Sequence, residues 1–193
     1  MSEASERTKY ERMWQHDQYR RQAPGESLVE DAINALGMQP GDTVIDFGCG
    51  TGRPAVRLQQ AGLDVIGVDF ADNCLDPDVA IPFRRECLWD MPAIKADWGF
   101  CTDVMEHIPR ERVLQTLASI RRCTRKGVFF QIATRPDNCG KLIGETLHLT
   151  VKPPHWWHTC LRIYWDPVDL SENRAGIQAA SFSSPDAPVP GRP

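Results

Sequence analysis

Apolar and polar positions follow two periods along this 193-residue chain. From Ser5 to Asp17 the apolar residues recur at helical spacing, with Tyr10, Met13, Trp14 and Asp17 on one face. Ser27 with Glu30 three residues on reads as a capping box. It opens a second helix whose apolar positions are Leu28, Val29, Ala32, Ile33 and Leu36, and Gly37 is suited to end it. After the Pro40-Gly41-Asp42 turn, a strand from Thr43 runs into a glycine turn, and a helix over Arg53–Ala61 follows with Pro54 in its first turn. Asp64–Phe70 is an apolar strand ending in an acid. Pro82–Leu88 is a weak third strand, preceded by a stretch with little room for a helix. Asp97–Val104 and Gly127–Thr134 read as strands four and five. Between them lies a helix over Arg110–Thr124 whose apolar face is Val113, Leu114, Leu117 and Ile120, leaving Arg112, Arg121, Arg122 and Arg125 to solvent. Arg162–Val168 and Gly176–Ser183 are suited to a closing antiparallel pair. Strands alternating with helices imply an α/β domain with a mostly parallel sheet.

Composition narrows the class. The length fits one domain over 1–184, with a loose tail at 185–193 that holds four prolines in nine residues. Net charge is −4, so no global basic field favours nucleic acid. Seven cysteines, an odd number with no C-x-x-C pair, suggest reduced thiols and a cytoplasmic setting. No apolar run approaches the ~20 residues of a membrane span, and the charged first twelve residues do not form a signal peptide. No metal-ligand cluster is evident from spacing.

The chemistry concentrates in Val44-Ile45-Asp46-Phe47-Gly48-Cys49-Gly50-Thr51-Gly52. Glycines at every second position after a buried strand let a ligand touch the backbone, and the free N–H groups of the next helix point at it. The third glycine arrives one residue too early for a dinucleotide fingerprint, and no Gly-Lys-Ser/Thr phosphate loop is present. Asp46, two residues before the first glycine, repels a pyrophosphate but suits a cation. The next strand ends in Asp69, where a carboxylate with two accepting oxygens can hold both ribose hydroxyls.

In these features the sequence resembles the class I S-adenosylmethionine-dependent methyltransferases of small-molecule type. The resemblance covers roughly residues 10–160. It implies a Rossmann-like fold with a mostly parallel seven-stranded sheet, helices on both faces and an antiparallel last strand. It also implies S-adenosyl-L-methionine as cofactor and S-adenosyl-L-homocysteine as product. Cofactor contacts are then expected from Asp46, Gly48, Cys49, Gly50, Gly52, Asp69 and Phe70. The family commonly has an acid near the adenine where this chain has Cys87, so Leu88 backbone, the Trp89 face or Asp90 is left to substitute. Residues 1–26 would cover the cofactor: Trp14 would close over it and Arg20 would pair with its carboxylate, although an amphipathic helix packed on the sheet explains the same spacing. Asp103-Val104-Met105-Glu106-His107-Ile108-Pro109 resembles the family segment after strand four. Asp103 would face the substrate or the methionine end, while Glu106 and His107 hold the loop. His148 and the helix start at Pro153-Pro154-His155-Trp156-Trp157 would wall the substrate cavity. His148 is the candidate general base or, equally, a hydrogen-bonded structural histidine.

The expected activity is in-line methyl transfer to a small-molecule acceptor, at oxygen, by a monomer or homodimer. Amino-directed DNA methyltransferases carry an Asn/Asp-Pro-Pro-Tyr/Phe segment after strand four, and cytosine enzymes a Pro-Cys nucleophile. This chain has neither. Modification of tRNA, DNA or protein with a partner remains a competing reading, as does a non-catalytic S-adenosylmethionine-binding module. A nicotinamide-dependent oxidoreductase is disfavoured by Asp46 and the early third glycine.

Overall fold

The computed structural model describes residues 3–92 and 94–184. The proline-rich tail expected at 185–193 lies outside the described residues. A seven-stranded sheet forms the middle layer, with spatial order β3-β2-β1-β4-β5-β7-β6. In chain order these are β1 (Thr43–Phe47), β2 (Asp64–Asp69), β3 (Phe83–Arg85), β4 (Ala96–Thr102), β5 (Thr124–Ala133), β6 (Val168–Glu172) and β7 (Gly176–Phe182). β1 pairs in parallel with β2 on one side and β4 on the other, and β7 runs antiparallel to both β5 and β6. The expected architecture, with one reversed strand near the end, is thus present.

Alternation along each strand divides the core. Ile45, Phe47, Cys101, Phe130 and Ile132 face α5 (Val113–Cys123) and α6 (Pro154–Leu161). Val44, Val65, Phe100 and Phe129 face α3 (Val29–Leu36) and α4 (Arg53–Gln60). Both faces of a parallel sheet must be covered, which explains the near-continuous apolar strands. The strand order reverses between β1 and β4, so the crevice for a ligand opens above their carboxyl ends.

Several local expectations give way to tertiary contacts. The first helix does not continue to Asp17. It ends at Met13, and a second short helix, α2, spans Asp17–Arg20 after His16 turns extended. The reason is that the Trp14 carbonyl accepts Arg20 Nε at 2.8 Å instead of a helical amide. Ser27 caps no helix: its hydroxyl donates back to the Pro24 carbonyl, and a 3₁₀ turn over Pro24–Leu28 leads into α3. Gly37 does end α3, with φ 68° and the Met38 amide reaching the Ile33 carbonyl. On α5, Leu114 is 45% exposed although it was expected inside. Arg121 is buried, not solvated, because its guanidinium donates to the Tyr164 and Thr124 carbonyls. The first closing strand begins at Val168 rather than Arg162, since α6 and its terminal turn occupy the chain up to Trp165.

Candidate active site

A cavity of about 970 Å³ lies above the carboxyl ends of β1, β2 and β4, walled on the far side by the N-terminal helices. Its floor is the glycine turn. Gly48, Gly50 and Gly52 have φ of 71°, 50° and 76°, a conformation other residues adopt only with strain. Close approach reinforces the requirement at Gly50, where a Cβ would lie 2.9 Å from the Trp14 ring.

Three carboxylates converge on this floor. Asp46 is 2% exposed and its Oδ2 has no hydrogen-bond partner, so burial, with Asp69 adding to it, pushes the carboxyl up to about 8. Asp69 closes β2, accepting Gly50 N–H at 3.2 Å on one oxygen and Ala71 N–H at 3.0 Å on the other. Burial raises its pKa despite these donors. Asp103 follows β4 with φ 53°, a left-handed conformation rare outside glycine and typical of functional sites. Its Oδ2 is buried and unpartnered; burial pushes the carboxyl up to about 6 while Arg135 pulls it down.

The aromatic wall joins distant segments. Tyr10 and Phe70 lie with ring centroids 5.5 Å apart, Phe70 meets Trp89 at 6.5 Å, and Trp14 packs on Tyr19 at 4.7 Å. Cys87, Leu88 and Trp89 all line the cavity, whereas Asp90 does not. Burial pushes the Cys87 thiol up to about 12, so it remains an uncharged neighbour.

His107 and His148 stand side by side, ring centroids 4.8 Å apart. His107 Nδ1 is 2.6 Å from the Tyr10 hydroxyl, which ties α1 (Glu3–Met13) to the turn after β4. Burial, with His148 and Lys9 adding to it, lowers its pKa to about 3, so it is a neutral structural partner. His148 Nδ1 lies 2.6 Å from the Arg135 carbonyl. A carbonyl only accepts, so Nδ1 carries the hydrogen and Nε2 of the neutral ring is the basic nitrogen. Asp137 holds this loop by accepting the amides of Gly140 at 2.6 Å, Leu147 at 3.0 Å and His148 at 3.3 Å. Glu106 is fully buried and accepts Ala133 N–H, while its carbonyl accepts Thr150 N–H.

Four expected residues are elsewhere: Arg20, Gly52, Trp156 and Trp157. Gly52 turns away from the cavity, and a Cβ on it would meet Val79 and Leu75. Arg20 does not line the cavity. Its guanidinium donates to the Asn73, Cys74 and Leu75 carbonyls and pairs with Asp76 at 3.0 Å, so it locks the N-terminal segment to the loop after β2. With the Trp14 carbonyl on Nε, five oxygens satisfy it, leaving no free fork for a ligand carboxylate. Trp156 and Trp157 do not wall the cavity either: Trp157 carries the buried face of α6 into the core and Trp156, partly buried, packs against it. Sequence reasoning missed Thr102, Arg135 and Asp137 as cavity residues. It also found no metal-ligand cluster, yet folding brings together Cys49, Asp69 and Cys74, and separately Glu106, His107 and His148.

Residues 15–172 match the family model described as a methyltransferase domain, and the chain belongs to that family. Its resemblance to the class I S-adenosylmethionine-dependent methyltransferases thus stands. Among curated proteins it is 27% identical over 132 residues to the ubiquinone biosynthesis O-methyltransferase of Methylococcus capsulatus, covering 58% of this chain and 55% of that protein. The corresponding protein of Hahella chejuensis is 25% identical over 118 residues, covering 54% and 49%. The chain therefore spans about half the length of the curated relatives it matches. In structure it is similar to Burkholderia thailandensis 1,6-didemethyltoxoflavin-N1-methyltransferase, solved with its substrate and S-adenosylhomocysteine. The TM-score is 0.65 at 17% identity, covering 87% of this chain and 82% of that one. Magnesium protoporphyrin IX methyltransferase from Synechocystis, solved with S-adenosylmethionine, gives 0.62 at 18% identity, covering 82% and 79%.

Proposed function

We propose that this protein transfers a methyl group from S-adenosylmethionine to a hydroxyl oxygen of a small-molecule acceptor. The observation that carries the reading is the meeting, in one cavity, of a cradle without Cβ atoms, the two-oxygen acceptor Asp69 and the orphaned buried carboxyl of Asp46. This donor set fits a nucleoside bearing a cation better than it fits a pyrophosphate. Asp69 would accept the ribose hydroxyls, Phe70 and residues 87–89 would flank the base, and Asp46 and Asp103 would face the positive end. The relatives support the acceptor class: they include proteins named as a ubiquinone biosynthesis O-methyltransferase, a magnesium protoporphyrin IX methyltransferase and a 1,6-didemethyltoxoflavin-N1-methyltransferase.

Bound there, S-adenosylmethionine supplies an electrophilic methyl group on sulfur that leaves as a neutral thioether. What the chain contributes is alignment and exclusion of water, worth on the order of 7–11 kcal/mol when reacting groups are held in line. Residues 1–26 act as the cover, with Trp14 seated on Gly50 and Tyr10 fastened to His107. His148 Nε2 takes the acceptor proton, with Arg135 fixing its tautomer and Asp137 fixing its backbone.

Titration calorimetry with S-adenosylmethionine, S-adenosylhomocysteine and NAD tests the cofactor. Heat is expected with the first two alone. Transfer of a labelled methyl group across a panel of phenols, alcohols and amines tests the acceptor. Labelling of tRNA or protein only would overturn the small-molecule reading.

A further inference from the structure

Beside the glycine turn, two thiols with no part in the methyl transfer stand next to the Asp69 carboxylate. The Sγ atoms of Cys49 and Cys74 and a carboxylate oxygen of Asp69 all lie within 4.8 Å of one another. All three residues are buried, Cys74 completely. Cys49 belongs to the turn itself, whereas Cys74 comes from the loop after β2, and folding sets the two thiols side by side. Neither position is loosely held. The Cys74 carbonyl accepts Arg20 Nη1 at 3.0 Å and its amide reaches the Ala71 carbonyl. Asp69 is oriented by Gly50 N–H and Ala71 N–H. Ligands fixed in this way by outer hydrogen bonds are what a metal site requires.

We propose that Cys49, Cys74 and Asp69 form a binding site for a soft, thiophilic divalent cation, and that its occupancy and nucleoside binding exclude each other. Two thiolates and one carboxylate are the donor set that selects zinc-like ions over magnesium or calcium. Three protein ligands leave one position for water, and Cys49 and Asp69 both line the cavity, so entry and the open position lie on the same side. The balance is simple: the cation takes the place of two thiol protons, which leave to solvent, and no electrons move. The exclusion half of the inference rests on the assignment of Asp69 to the cofactor ribose. A cation drawing on that carboxylate removes it from the hydroxyls it would otherwise accept. The other constellation, Glu106 with His107 and His148, belongs to the site already described, where His107 Nδ1 meets Tyr10 and His148 is the proposed base.

The test uses cadmium chloride with the reduced 193-residue chain in metal-free buffer. The ultraviolet thiolate-to-cadmium band reports the site, and calorimetry reports S-adenosylhomocysteine. In the wild type the band is expected to appear, and saturating S-adenosylhomocysteine should weaken cadmium binding at least about tenfold. Cys74→Ala should lose the band and keep its S-adenosylhomocysteine affinity. A Cys139→Ser control should behave as wild type. The inference is overturned if Cys74→Ala retains the band. It is equally overturned if cadmium and S-adenosylhomocysteine bind the wild type together without mutual effect, a measurement that needs no variant. If the metal-free wild type gives no heat with S-adenosylhomocysteine while the Cys74-dependent band is present, the methyl-transfer reading fails and the cation site stands.

Discussion

The outer edge of the Trp14 indole lies over Gly50 so closely that a Cβ on that glycine would come within 2.9 Å of it. The cover and the cradle are therefore fitted to one another, and Gly50 has two reasons to be glycine: contact and a φ of 50°. Gly50→Ala should cost about 1–2 kcal/mol of stability from the left-handed backbone alone. Because Trp14 must also move, S-adenosylhomocysteine affinity should fall at least about tenfold, the equivalent of 1.4 kcal/mol. Thermal melts and calorimetry on the same sample separate the two effects, and an unchanged affinity would show that Trp14 has no part in covering the ligand.

Asp69 has a double duty that makes its removal more than a loss of ligand contact. Its oxygens hold the amides of Gly50 and Ala71, which frame the turn. Asp69→Ala should weaken cofactor binding by roughly 10–100-fold, as expected for one charged hydrogen-bond partner, and cost about 1–3 kcal/mol of folding stability through the stranded amides. Asp69→Asn, which retains one accepting oxygen, should fall between. Full affinity in both variants would place the ribose elsewhere.

The pH dependence of binding should report Asp103. Burial raises its carboxyl from the ordinary 3.8 to about 6, so the folded protein holds this proton more tightly than the unfolded chain. Stability from this group is therefore full below about pH 4 and is lost as pH rises toward about 6, on the order of 1–3 kcal/mol. Affinity for a sulfonium should run the other way. It should strengthen as pH rises through about 6 and the carboxylate forms, and it should do so more for S-adenosylmethionine than for S-adenosylhomocysteine. Asp103→Asn should remove the change centred near pH 6 from both profiles and leave the change toward pH 8 that belongs to Asp46, read by melts and calorimetry.

His148 tests the catalytic half of the proposal. His148→Asn removes Nε2 as a proton acceptor at a position already held by Asp137 and Arg135. Once an acceptor is known, kcat should drop roughly 10²–10⁴-fold with little change in the KM for S-adenosylmethionine. A fall in cofactor affinity with kcat unchanged would make His148 a structural residue. Methyl transfer to a thiol or an already ionised phenol should be less sensitive to the substitution, because a thiol loses its proton readily to solvent and an ionised phenol has none to lose.

Two features of the chain separate what could be read early from what could not. The glycine turn, Asp46 and Asp69 were legible because strand, turn and helix are neighbours in sequence, and their chemistry is set by residue type at fixed spacing. Arg20 was misread because its place just after the first helix says nothing of where its guanidinium ends up; the Asn73–Asp76 loop, which captures it, lies more than fifty positions away. Trp156 and Trp157 were misread for a related reason: an aromatic pair at a helix start serves a cavity wall or a core equally, and the packing of α6 decides. Arg121 and Leu114 exchanged their expected environments because helical periodicity fixes a face but not its edges, and the Tyr164 segment happens to cover one edge.

The sequence by itself determined the alternation of strands and helices, the crook at Gly48–Gly52 and the acids that end β1 and β2. These depend on local backbone freedom and on burial patterns that repeat within a few residues. Only the tertiary structure decided that Tyr10 meets His107 across 97 positions, that His148 shows its Nε2 rather than its Nδ1, and that Cys49 and Cys74 face each other beside Asp69. Such meetings arise when the sheet closes and distant loops are brought above the same strand ends. Their energy comes from desolvated pairs that no local spacing encodes.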